Sequence, residues 1–106
     1  MAQLVIHQPR VAWDGARAFV RMAGGRDYEA FAYEAFAGRV HSQLGRDLYI
    51  ELAETRERIL TAWVRTGGDQ HATDIELGRW RVRLEDLLRT HPDLLDPVLD
   101  LIASTR

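Results

Sequence analysis

The chain has 106 residues, of which 46% are hydrophobic and 28% charged, enough apolar content for one folded domain and too much for a solvated disordered tail. It contains no Cys, which excludes a disulfide scaffold, thiol catalysis and Cys-ligated zinc. The 14 basic and 16 acidic residues leave a net charge of −2, so there is no strong polyanion-binding signal.

All the basic residues are Arg; the chain has neither Lys nor Asn. Codon bias in a GC-rich genome explains this simply, whereas Arg selected for bidentate carboxylate or phosphate contacts would have to cluster. The only cluster is Arg79, Arg81 and Arg83, and Glu76, Glu85 and Asp86 flank it. Neither half of the chain is polarised enough to suggest a nucleic-acid face. The Leu4-Val5-Ile6 run near the start lacks a basic flank and the length of a membrane span. No membrane association and a cytoplasmic location are therefore the default expectations.

Strand signals are confined to Gln3–His7, too short to found a sheet, and residues 1–10 read as a loose or extended leader. A first helix is predicted over Val11–Ala23, carrying Trp13, Gly15, Phe19 and Met22, with Gly24-Gly25 as a left-handed stop. Asp27 is placed to cap a second helix, whose residues 28–37 spell Tyr-Glu-Ala-Phe-Ala twice. At about 100° per residue, Tyr28, Phe31, Tyr33 and Phe36 spread over roughly 200° of arc. That is too wide for a helix packed on one side only, so this helix is either central to the bundle or meets another chain.

A third helix is predicted over Asp47–Thr66. Leu48, Leu52, Thr55, Ile59, Ala62, Trp63 and Thr66 form its apolar stripe, and Glu51, Glu54, Glu57 and Arg58 its solvated side. Gly67-Gly68 closes it. Thr73 and Glu76 have capping-box spacing, opening a fourth helix that turns Leu77, Trp80, Leu84, Leu87 and Leu88 inward until His91-Pro92 stops it. A last helix follows a turn at 92–95, with Asp96 as cap and Pro97 at its first position. The expected architecture is an all-α bundle of about five helices in a single domain, built round a central antiparallel hairpin of the third and fourth helices. Its predicted core is Leu52, Ile59, Trp63, Leu77, Trp80, Leu84, Leu87 and Leu88.

Chemistry is sparse. His7, His41, His71 and His91 form no i, i+4 pair, and Asp69, His71 and Asp74 share a loop of the kind that is usually solvated. Ser42 and Ser104 lie in no nucleophile motif, and Gly24-Gly25-Arg26 and Gly67-Gly68-Asp69 lack phosphate-loop spacing. Glu29, Glu34, Glu51 and Glu54 lack the histidine partners of a di-iron bundle. No catalytic residue, metal ligand or cofactor is expected.

The segment Glu76-x-x-x-Trp80-Arg81-x-Arg83-Leu84-Glu85-Asp86-Leu87-Leu88-x-x-His91-Pro92-Asp93-Leu94 follows Thr55-Arg56 and Gly68-Asp69. Together they resemble an uncharacterised actinobacterial all-helical family whose members end in W-x-x-R-L-x-x-L-L-x-x-x-P-x-L. Val11-Ala12-Trp13-Asp14-Gly15-Ala16-Arg17 is similar to that family's opening helix, so the likeness spans residues 11–103. Pro97 and the aromatic repeat depart from the family pattern. The resemblance implies an accessory or adaptor module linked to multidomain signalling or defence-type effectors, a family to which no activity is attached.

The expected function is a non-catalytic protein–protein interaction module, self-associating through the aromatic second helix, with Trp13, Tyr28, Phe31, Tyr33 and Phe36 as interface candidates. The alternatives are a helical nucleic-acid-binding regulator presenting Arg79, Arg81 and Arg83, and an antitoxin-like partner of a larger effector.

Overall fold

The computed structural model describes residues 8–106, which form α1 (Gln8–Ala23), α2 (Glu29–Leu44), α3 (Arg46–Thr66), α4 (His71–Thr90), a single 3₁₀ turn (Pro92–Leu94) and α5 (Leu95–Ser104). No strand occurs among the described residues, so the all-α bundle is the architecture. The strand-like stretch and His7 lie outside them. Residues 8–10, expected in the loose leader, instead begin α1, because Pro9 in a first helical turn forfeits no intrahelical hydrogen bond.

The most extensive helix–helix contact is α1 on α4, followed by α2 on α3, and α5 closes over α1 and α2. Gly15 explains how closely α1 and α4 approach: a Cβ there would stand 2.7 Å from Leu84 Cδ1. The helix-weakening residue of α1 is thus a packing residue. Phe19 sits at the centre, edge-on to Phe36 at 5.1 Å and tilted against Trp80 at 4.9 Å. Leu52, Ile59, Trp80, Leu84, Leu87 and Leu88 are buried as expected, and Leu77 packs half-buried at the rim.

Trp63 is not core. It is 42% exposed, because α3 at 21 residues outruns the 16-residue α1 and α2, and residues 61–75 project beyond the core. This outer part of the α3–α4 hairpin contributes to a long axis of 53 Å against 25 and 24 Å across.

Several helix ends differ from the local pattern. Neither Gly24 nor Gly25 is left-handed; the turn into α2 places Asp27 there instead, at φ 57°. Asp27 therefore does not cap α2, whose first flanking residue is Tyr28. The carbonyls at the end of α1 are satisfied from a distance, by Arg56 Nη1, which donates to Ala23 O at 2.9 Å and Gly25 O at 2.6 Å. A cation there also complements the negative end of the helix dipole. Gly67 does adopt the left-handed stop, at φ 72°, its N–H donating to Trp63 O. α4 starts earlier than its capping-box pattern suggests, with Asp69 Oδ1 accepting from the His71 N–H at 3.0 Å, which leaves Thr73 inside the helix and frees Glu76 for another role. His91 ends α4 in an extended conformation, as the residue before a proline should. α5 begins at Leu95, so Pro97 falls third in the helix, still within the turn that lacks N–H acceptors.

Candidate functional site

The two copies of the pentapeptide run from Tyr28, the residue flanking α2, through the first turns of that helix, and they face opposite ways. Tyr28 and Phe31 of the first are 81% and 79% exposed; Tyr33 and Phe36 of the second are 5% and 2% exposed. A five-residue shift turns the motif by roughly 140°. Only the second copy continues into the buried stripe that Ala37 and Val40 extend. Tyr33 and Phe36 are accordingly core residues, not interface residues. The Arg56 guanidinium lies 4.4 Å from the Tyr33 ring centroid, and burial pushes the Tyr33 hydroxyl pKa up despite the opposing charge of Arg56.

Two large aromatics one turn apart and almost fully in water form the surface candidate. Arg26, two residues before Tyr28, lies 3.7 Å over the Trp63 ring, so the half-exposed Trp63 belongs to the same end of the bundle. Trp13 does not join them. It sits near the other end of α1, between the guanidiniums of Arg17 at 5.2 Å and Arg81 at 5.5 Å.

A second feature lies largely off the apolar stripes. Between α3 and α4 a polar ladder replaces an apolar seam. Arg83 Nε donates to both Glu51 oxygens at 3.1 and 3.0 Å. Trp80 Nε1 donates to Thr55 Oγ1 at 2.8 Å, and Thr55 Oγ1 donates to Glu76 Oε1 at 3.2 Å. Arg58 grips Glu76 with Nε at 3.0 Å and Nη2 at 2.9 Å. Partner numbers fall on α4 as they rise on α3, which gives the hairpin its antiparallel register. Glu76 is buried, and its hydrogen bonds hold the Arg58 pKa above the usual value. Glu51 and Arg58, assigned by helical periodicity to the solvated side, belong to this ladder; a Glu and an Arg seven residues apart on each helix, with Thr55 and Trp80 between them, are the signal that identifies it.

The ladder borders a cleft of about 280 Å³ lined also by Glu54 and Arg79. Among the described residues every buried side-chain polar atom has a hydrogen-bond partner, and the ladder fixes the register of the two helices. The three Arg of the α4 cluster are each engaged: Arg79 lies 3.6 Å from Glu76, Arg81 pairs with Glu85 at 3.2 Å, and Arg83 with Glu51. No group of three or more potential metal-binding side chains occurs among the described residues, and none of their helices is long and apolar enough to cross a membrane.

Compared with known proteins, the chain matches no family model, no curated protein and no solved structure. The functional reading therefore rests on the surface geometry itself.

Proposed function

We propose that the protein is a non-catalytic interaction module of the adaptor or accessory type, whose contact surface is the outward face of α2 centred on Tyr28 and Phe31. The observation that carries this reading is the exposure of two adjacent large aromatics in a helix whose remaining aromatics are buried. An exposed aromatic pair gains free energy on leaving water, and Tyr and Trp concentrate in the energetic centres of interfaces. A nucleic-acid role for α4 draws less support, since each Arg of its cluster already serves a carboxylate within the fold. An antitoxin-like role is a variant of the same reading and differs only in the partner.

Site-specific incorporation of a photo-crosslinking phenylalanine analogue at position 31, in the native host, tests it. Discrete protein adducts are expected, with far weaker adducts from the same analogue at the solvent-facing Arg65. A position-31 variant that folds and yields no protein adduct refutes the reading.

A further inference from the structure

The outward face of α2 continues past its two aromatics. Tyr28, Phe31, Ala35, Gly38 and Ser42 are all exposed, none is charged, and they are spaced three, four, three and four residues apart. That is the a/d spacing of a helix that pairs with another along its length. Glu34 borders this strip on one side and Arg39 on the other, and neither forms an ion pair among the described residues.

Resting on the proposed function above, we propose that the partner is a second copy of this chain and that the two α2 helices pair in parallel. With Tyr28 and Ala35 at a positions, Glu34 is the g residue of one heptad and Arg39 the e residue of the next. In a parallel pair these positions meet across the interface, so the two-fold axis generates the Glu34–Arg39 pair twice. The antiparallel arrangement instead pairs g with g and e with e, so Glu34 and Arg39 do not meet across the interface. Charge complementarity therefore selects both the partner and the direction.

Gly38 is consistent with the same contact. A Cβ there would meet nothing within 4 Å in the protomer, and its φ lies outside the left-handed region, so the protomer itself makes no use of this glycine. Across the two-fold, absence of a side chain lets the backbones approach at the narrow end while the paired Tyr28 and Phe31 rings fill the wide end. Four such aromatics, each contributing roughly 150–250 Å² and about four-fifths exposed, bury on the order of 500–800 Å². The small-residue half of the strip brings the total toward the ~1,200 Å² lower bound for specific interfaces, which corresponds to a weak, reversible dimer.

Sedimentation equilibrium on the full chain tests the proposal through a charge-swap cycle. The unmodified protein is expected to show a reversible monomer–dimer equilibrium in the micromolar range. Glu34→Arg and Arg39→Glu should each weaken it roughly tenfold, and the double reversal should restore it, all with unchanged unfolding midpoints at protein concentrations well below the dimer dissociation constant. Because the chain has no cysteine, Ser42→Cys should give a disulfide-linked dimer under mild oxidation. A protein that stays monomeric throughout overturns the self-pairing, as does a double reversal no better than the single ones, or a dimer that Ser42→Cys fails to link. If the protein is monomeric while the position-31 adduct contains a different protein, only the self-pairing falls. Monomer without any adduct removes the interaction reading as well.

Discussion

Residues 28–32 and 33–37 are identical in sequence and opposite in role. The second copy places Phe36 against Phe19 and Tyr33 under Arg56; the first leaves Tyr28 and Phe31 in water. Propensity and composition cannot separate them, since they are the same five residues. What separates them is the angle at which each copy leaves the helix and what continues its stripe: Val40 and Leu44 inward, Gly38 and Ser42 outward. The aromatic content of a segment is thus no measure of its core contribution; register decides.

The sharpest way to break this contrast is to truncate a ring of the inward copy. Phe36→Ala should lower stability by about 3–5 kcal/mol, because it empties the space beside Phe19 in the centre of the core. Urea unfolding would measure it, and a loss under about 1 kcal/mol would mean that the site collapses without cost or that Phe36 is not central. Gly38→Ala should act in two directions. Adding a methyl group that meets nothing, at a helical position, should stabilise the protomer by about 0.5–1 kcal/mol while weakening self-association.

Tyr33 supplies a pH test of the inward copy. Burial raises its pKa above the ordinary value, so the folded state holds that proton more tightly than the unfolded chain. Its contribution is complete below the unfolded pKa of about 10 and is lost as pH rises through the higher folded value. Unfolding midpoints should fall with alkalinity in that window, and Tyr33→Phe should flatten the decline. The smallest effect on stability belongs to the outward copy: at concentrations where the protein is monomeric, Tyr28→Ser with Phe31→Ser should shift the unfolding free energy by no more than about 0.5 kcal/mol, as surface substitutions do.

The parts of the fold legible in the sequence were those governed by neighbours along the chain. Gly67 stops α3 and His91-Pro92 stops α4 where local geometry requires it, and the apolar stripes of α3 and α4 supply Leu52, Leu84 and Leu88 to the core. The failures share a cause. Trp63 continues its stripe correctly, but the stripe runs on after its packing partners have ended. Thr73 and Glu76 have capping spacing, yet Asp69 begins the helix earlier and Glu76 turns to Arg58 and Thr55 on another helix. Arg56 caps a helix more than thirty residues away. Contacts of this kind depend on which helices become neighbours, and no window along one helix contains that information. The roughly 200° aromatic arc was visible, but its division into an inward and an outward half required the positions of α1 and α3.

The Arg-only composition also changes meaning in three dimensions. The fold uses the planar guanidinium repeatedly: forked onto Glu76, set against both oxygens of Glu51, placed over Trp63 and Tyr33, and bonded to the carbonyls ending α1. A Lys would satisfy each of these sites less completely.

The two identical copies are best told apart by sedimentation of Phe31→Ser and Phe36→Ser at matched concentrations, with helicity recorded on the same samples. The expected result is a fully helical Phe31→Ser protein shifted to monomer, beside a Phe36→Ser protein that has lost cooperative structure. Equal association by the unmodified chain and a folded Phe31→Ser protein would refute the assignment of the outward copy to an interface between chains.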